Sequence, residues 1–114
     1  GTPLQMFDSL KKFSRLPEKT RVYCTHEYTL SNLTFALEVE PNNNELKKYF
    51  EEVRTLRDSN RMSLPSSISL ENKINPFLRT SVDQVKTNAE NYANKKGLQP
   101  VEVLATIRDW KDNF

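Results

Sequence analysis

Tyr23-Cys24-Thr25-His26-Glu27-Tyr28-Thr29-Leu30-Ser31-Asn32-Leu33 contains the single histidine of a 114-residue chain. Arg21-Val22-Tyr23-Cys24 leads into it with β-branched and aromatic residues, which favours an extended strand. Leu30 to Glu40 leads out of it with helix-favouring residues, and Thr29 or Ser31 can cap that helix. His26 is therefore expected on a strand-to-helix connection. There a side chain can project from a rigid scaffold into a cleft.

The rest of the chain is helical in character. Hydrophobic residues make up 36% and charged residues 28%, polar for a globule but short of a disordered composition. The two glycines and the many Leu, Lys, Glu and Asn residues argue against a β-sandwich. Seventeen basic and fifteen acidic residues leave a net charge of +2, interspersed along the chain. Such a mixed surface gives little support to nucleic-acid or membrane binding. The lone Cys24 excludes an internal disulfide and fits a reducing compartment, so a cytoplasmic location is the expectation; a monomer is also expected.

At the start of the chain, Thr2-Pro3-Leu4-Gln5 is a helix start with an N-cap, a first-position proline and a capping-box glutamine. Leu4, Phe7, Leu10 and Phe13 follow, and Pro17 stops the run. A helix so near the first residue suggests that the chain starts within something larger. After His26, Leu30, Leu33, Ala36 and Leu37 share a side, with Phe35 and Val39 on its flanks. Pro41 ends that helix, and Asn42-Asn43-Asn44 makes a turn with a cap for the next. Leu46, Phe50, Val53 and Leu56 then form an amphipathic stripe.

Residues 58–69 read as a polar surface loop, and Leu70 to about Asn75 as a short helix ending at Pro76. Ser81-Val82-Asp83-Gln84 reads as a second capping box, with Gly97 as the glycine after that helix. Pro100 opens a last helix with Val103, Ile107, Trp110 and Phe114 on one face, and Leu104, Arg108 and Lys111 on an adjacent one. No second strand is evident, so Arg21 to Cys24 is expected to belong to a sheet whose other strands lie elsewhere. The product is mainly α, with four or five helices and one strand.

Cys24-Thr25-His26-Glu27-Tyr28-Thr29-Leu30-Ser31-Asn32-Leu33 resembles the C-terminal histidine motif of the glyoxalase II (hydroxyacylglutathione hydrolase) family. Val39-Glu40-Pro41-Asn42, Asn75-Pro76-Phe77-Leu78-Arg79 and Arg108-Asp109-Trp110-Lys111-Asp112-Asn113-Phe114 are similar to further family segments, in the same order. Several motifs agreeing in order are more specific than any one of them. Thr25 departs from the glycine usual there, which bears on the loop geometry more than on His26.

The resemblance implies a metallo-β-lactamase-like αββα catalytic domain followed by a helical domain. On that reading residues 1–41 are the end of the catalytic domain, and residues 42–114 form the helical substrate-binding domain. The reaction implied is hydrolysis of S-(2-hydroxyacyl)glutathione, such as S-D-lactoylglutathione, to glutathione and a 2-hydroxy acid in methylglyoxal detoxification. It implies two divalent metal ions, most favourably zinc, with iron or manganese also compatible. Two close metals lower the pKa of water so that it attacks the thioester carbonyl near neutral pH. The family's His-x-His-x-Asp-His ligands are not in this chain. The N-terminal metallo-β-lactamase domain of the same enzyme is thus an implied partner, and the chain alone is expected to be inactive.

By the same resemblance His26 is a metal ligand, while Tyr28, Arg108 and Lys111 hold the glutathione part of the substrate. No catalytic residue beyond the metal ligand is expected within the chain. Without the family, a lone histidine is more often a packed or surface residue, and Arg108 and Lys111, alternating with Asp109 and Asp112, read as a solvated face. Cys24 reads as a buried thiol without a second histidine to activate it. A different class of function is also compatible with the residues alone. A small helical interaction module would dock the Leu46, Phe50, Val53, Leu56 stripe on a partner.

Overall fold

The computed structural model describes residues 2–22, 26–58 and 66–114, without the side chains of residues 22, 26–29 and 57. Tyr23, Cys24 and Thr25, and residues 59–65 of the expected loop, lie outside the described residues. The elements run α1 (Pro3–Ser14), β1 (Arg21–Val22), α2 (His26–Val39), α3 (Asn44–Asp58), β2 (Ser66–Ser67) and α4 (Ile68–Ile74). A 3₁₀ turn (Pro76–Leu78), α5 (Asp83–Ala93) and α6 (Pro100–Asp112) complete the order. The architecture is mainly α.

The N-terminal capping box forms as the residues dictate. Gln5 N–H donates to Thr2 Oγ1 at 3.2 Å, and Thr2 N–H donates back to Gln5 Oε1 at 3.1 Å. Helix α2 starts at His26, earlier than Leu30, so Thr29 and Ser31 lie inside it and do not cap it. No Pro or Gly interrupts residues 26–40, and Glu27 suits the positive end of the helix dipole. His26 is therefore a first-turn helical residue. Its side chain and that of Tyr28 lie outside the described residues.

Helix α2 is buried on two sides. Leu33 and Ala36 pack with Leu46, Val53 and Ile74. Phe35 and Val39, expected on the flanks, instead join a larger cluster with Val85, Ala89, Val103, Leu104 and Ile107. A single-stripe reading undercounts such a central helix, because apolar residues on both faces blur the periodicity. The α3 stripe faces inward at Leu46 and Val53, and its partly buried Phe50 packs against the same cluster. That use of the stripe leaves its two buried members unavailable for docking a partner.

The strand is not isolated. Arg21 and Val22 pair antiparallel with Ser67 and Ser66. Ile68 N–H donates to Thr20 O at 3.0 Å and Ser69 N–H to Glu18 O at 3.1 Å, extending the contact. The end of the expected surface loop is therefore structured, and Ile68 is wholly buried. Ser67 explains the switch from strand to helix, since its Oγ accepts from Leu70 N–H at 3.1 Å and caps α4.

Two capping expectations differ from what forms. Helix α5 begins at Asp83 after Val82, with no side-chain cap from Ser81, because residues 79–82 are already turned by the Val82 N–H bond to Arg79 O. Its C-terminus is closed by Asn94 at φ 55°, with Gly97 taking φ 73° in the turn that follows. Asparagine tolerates the left-handed region better than most residues. Gln99 N–H donates to Glu102 Oε1 at 2.9 Å at the start of α6, where Pro100 occupies the first helical position.

Aromatic rings join α2, the 3₁₀ turn and α6. Phe35 meets Phe77 at 6.2 Å, Trp110 edge-on at 5.7 Å and Phe114 edge-on at 5.5 Å. Trp110 also stacks on Tyr92 at 5.0 Å. These contacts fix where the last turn of α6 lies, and Lys111 is on that turn.

Candidate functional site

Lys111 is partly buried, and its Nζ donates to Asn32 Oδ1 of α2 at 2.8 Å. The same ammonium lies 5.7 Å from the centroid of the Phe77 ring, within cation–π range. Asn32 and Phe77 thus both contact the Lys111 ammonium. Lys111 borders a cavity of about 100 Å³ with Asn32, Glu71 and Asn75, over an apolar floor that includes Phe35 and Phe77. Water occupies ~30 Å³ per molecule. The cavity therefore admits a group of a few heavy atoms.

The wall carrying Phe77 is clamped from behind. Arg79 Nε donates to Glu40 Oε2 at 2.7 Å and Nη2 to Oε1 at 3.0 Å, a bidentate pair around a carboxylate only 3% exposed. Arg79 Nη1 also donates to Asn72 O at 3.1 Å. Asn43 Nδ2 donates to Glu40 Oε2 at 3.2 Å and to Lys73 O at 2.8 Å. Asn75 Oδ1 accepts from Phe77 N–H at 2.9 Å, starting the 3₁₀ turn. The Val-Glu-Pro-Asn and Asn-Pro-Phe-Leu-Arg segments are thereby two halves of one buried polar network. It ties the end of α2 to the end of α4.

Glu71 sits on α4 and lines the same cavity as Lys111 without pairing with it. Its carboxylate has no hydrogen-bond or ion-pair partner among the described residues. Burial pushes that carboxyl above its ordinary value of 4.5. Folding then favours the protonated form, so the group's stabilising contribution is full below pH 4.5 and is lost as pH rises through the raised value. Glu71→Gln, neutral at every pH, is expected to be more stable than the parent at about pH 8 and to lose that advantage at about pH 4. Thermal midpoints at the two pH values measure this, and an equal gap at both would contradict it.

Arg108 lies elsewhere. It is exposed, and its Nη1 approaches Met6 Sδ of α1 at 3.4 Å. The i, i+3 spacing places it on the same side of α6 as Lys111, yet the two side chains engage different neighbours, and Arg108 does not line the cavity. A second cavity of about 240 Å³ lies on the other side of Phe77, between α1 and the 3₁₀ turn. No cluster of three or more His, Cys, Asp or Glu side chains able to hold a metal occurs among the described residues. His26 can offer one nitrogen donor, which does not make a metal centre.

Asn32 and Glu71 were not singled out from the sequence as site residues. Asn32 lies within the quoted motif. Glu71 shares a face of α4 with Ile74 and Asn75 at i, i+3 and i+4, and a carboxylate on the face of a buried isoleucine is the signal that marks it.

Residues 27–114 match the family described as "Hydroxyacylglutathione hydrolase C-terminus". The chain belongs to the hydroxyacylglutathione hydrolase family. It is 54% identical, over all 114 residues, to proteins named hydroxyacylglutathione hydrolase from Pseudomonas paraeruginosa and Pseudomonas aeruginosa. It is 52% identical over the same span to the protein of that name from Pseudomonas putida. In each case the whole chain is matched and 44% of the relative is covered, so the chain spans less than half the length of these family members. The matched C-terminal family segment contains every residue of the Lys111 cavity. No helix among the described residues is long and apolar enough to cross a membrane.

Proposed function

We propose that this chain supplies the glutathione-holding part of a metal-dependent thioester hydrolase acting on S-(2-hydroxyacyl)glutathione, S-D-lactoylglutathione among them. In this reading residues 1–41 close the catalytic domain and residues 42–114 form the helical substrate-binding domain. The remaining catalytic domain is metallo-β-lactamase-like and lies N-terminal to them. The observation that carries the reading is the Lys111 ammonium, bonded to Asn32 beside a small cavity, in a chain of this family.

Lys111 pairs with a substrate carboxylate, and Arg108, one turn away on α6, adds a second positive charge toward the same anionic tripeptide. Tyr28 offers a hydroxyl from the first turn of α2, next to His26. These groups bind and orient the thioester and leave bond-breaking to the catalytic domain. His26 contributes one imidazole to a pair of divalent ions, zinc foremost and iron or manganese as alternatives, whose other ligands lie outside this chain. When bound, such a pair lowers the pKa of water and polarises the carbonyl under attack. The products are glutathione and a 2-hydroxy acid, in a cytoplasmic detoxification of methylglyoxal.

The test is metal analysis and hydrolysis assay of the intact gene product that contains these residues. About two metal equivalents, with hydrolysis of S-D-lactoylglutathione that a chelator abolishes, is the expected result. A metal-free product without thioesterase activity would favour an interaction module instead.

A further inference from the structure

We infer that the cavity between α1 and the 3₁₀ turn is a second binding site, which takes a small organic carboxylate with an apolar body. None of its polar residues belongs to the substrate-holding set proposed above.

The cavity measures about 240 Å³, and pockets for drug-sized ligands start at about 300 Å³, so this one suits a single ring or a short chain. Its charge has one sign. Lys11 of α1 and Arg15 at the C-cap of that helix border it, and no Asp or Glu does. Neither cation has an ion-pair partner among the described residues; Lys11 Nζ lies 5.5 Å from the centroid of the Phe7 ring. Unpaired cations around a small space select an anion. The negative end of the α1 dipole does not oppose this, because its carbonyls already have donors. Ser14 Oγ donates to Lys11 O at 2.8 Å, and Asn72 Nδ2 donates to Ser14 O at 3.0 Å.

Thr80 adds an independent reason. The residue is 6% exposed, yet its hydroxyl has no hydrogen-bond partner among the described residues. A buried hydroxyl without a partner is unfavourable, and few are left so in folded proteins. No wholly enclosed polar side-chain atom among the described residues lacks a partner, so this hydroxyl reaches open space, and the space that Thr80 borders is the cavity. Ser81 beside it is exposed and does not cap α5, which leaves a second hydroxyl uncommitted. Two cations and two hydroxyls match the roughly four lone-pair sites of a carboxylate. The rest of the lining is largely carbon, with the Phe7 and Phe77 rings foremost, and it suits an apolar body that an inorganic anion lacks.

The experiment titrates the intact gene product with benzoate, benzyl alcohol and inorganic phosphate, following the amide NMR signal of Ser81. Benzoate is expected to bind with a Kd of about 1 mM, and the neutral alcohol and the phosphate about tenfold more weakly or worse. Replacing both cations, Lys11→Gln with Arg15→Gln, should weaken benzoate by about tenfold or more, and both positions are exposed, so the fold tolerates the change. Thr80→Val keeps the shape and should weaken benzoate by about fivefold without lowering the thermal midpoint of the free protein. A parent whose Ser81 signal ignores benzoate overturns the assignment, and so does equal binding of benzyl alcohol or phosphate. Benzoate binding at full strength by the double variant overturns it as well, and that variant decides the matter even where Thr80→Val fails to fold.

Discussion

Arg79→Ala is expected to cost the fold about 3–5 kcal/mol, because it strips a buried carboxylate of its bidentate partner. Glu40 is 3% exposed on its side chain and Arg79 20%, so solvent cannot replace what the guanidinium supplies. Asn43 would remain as the only side-chain donor to Glu40 among the described residues, one amide where a charge-assisted fork had been. For a domain of this size the thermal midpoint should fall by on the order of 15 °C. Arg79→Lys keeps the charge but not the fork and should fall in between.

The double variant Glu40→Leu, Arg79→Leu discriminates the cause. Removing both charges removes the uncompensated one, so its loss should be smaller than the sum of the single losses. A loss below about 1 kcal/mol for Arg79→Ala in denaturant unfolding would show that the pair behaves like a surface ion pair. The clamp would then not hold the Phe77 wall of the cavity.

That network also shows how far the residues could be read before the fold was in view. Helices α1, α3 and α6 follow from local rules, namely a Thr-Pro-x-Gln start, an apolar stripe and a proline at the first position. Each of those signals acts within a few residues, and each formed. The signals that misled concern partners distant in the chain. Ser66 and Ser67 carry no β preference, and they are a strand only because residues 18–22 lie beside them. Phe35 and Val39 read as flanks because a helix buried on two sides has no single apolar face. Ser81 had the spacing of a cap, but the turn at residues 79–82 took over the start of α5.

The site divides in the same way. Lys111 is a proposed site residue through the tail segment in which it lies. Its bond to Asn32 was not legible there, because Asn32 is 79 residues away in the chain. Glu71 had no motif to announce it, and only the packing of α4 against α2 and the 3₁₀ turn gives it a cavity to line. Glu40 and Arg79 belong to two separate segments of the sequence. Their pairing across 39 residues turns those segments into one structural device.

Removal of the Lys111 charge is the second large effect expected, and it bears on binding. A charge-assisted hydrogen bond to a substrate carboxylate contributes about 1.5–3 kcal/mol, which corresponds to about 10- to 150-fold in affinity. Lys111 lies beside the glutathione moiety in the proposed complex and takes no part in water attack or thiolate departure. Its loss should therefore weaken ground state and transition state alike. The fold should tolerate the change, since the ammonium's hydrogen bond is to the exposed Asn32 and the aromatic cluster around Phe35 does not depend on it.

The decisive measurement is the steady-state hydrolysis of S-D-lactoylglutathione by the intact gene product and its Lys111→Ala variant. KM is expected to rise about 10-fold or more while kcat stays within about threefold of the parent. A large fall in kcat with KM unchanged would contradict it, because Lys111 would then act on the chemical step and not hold the substrate.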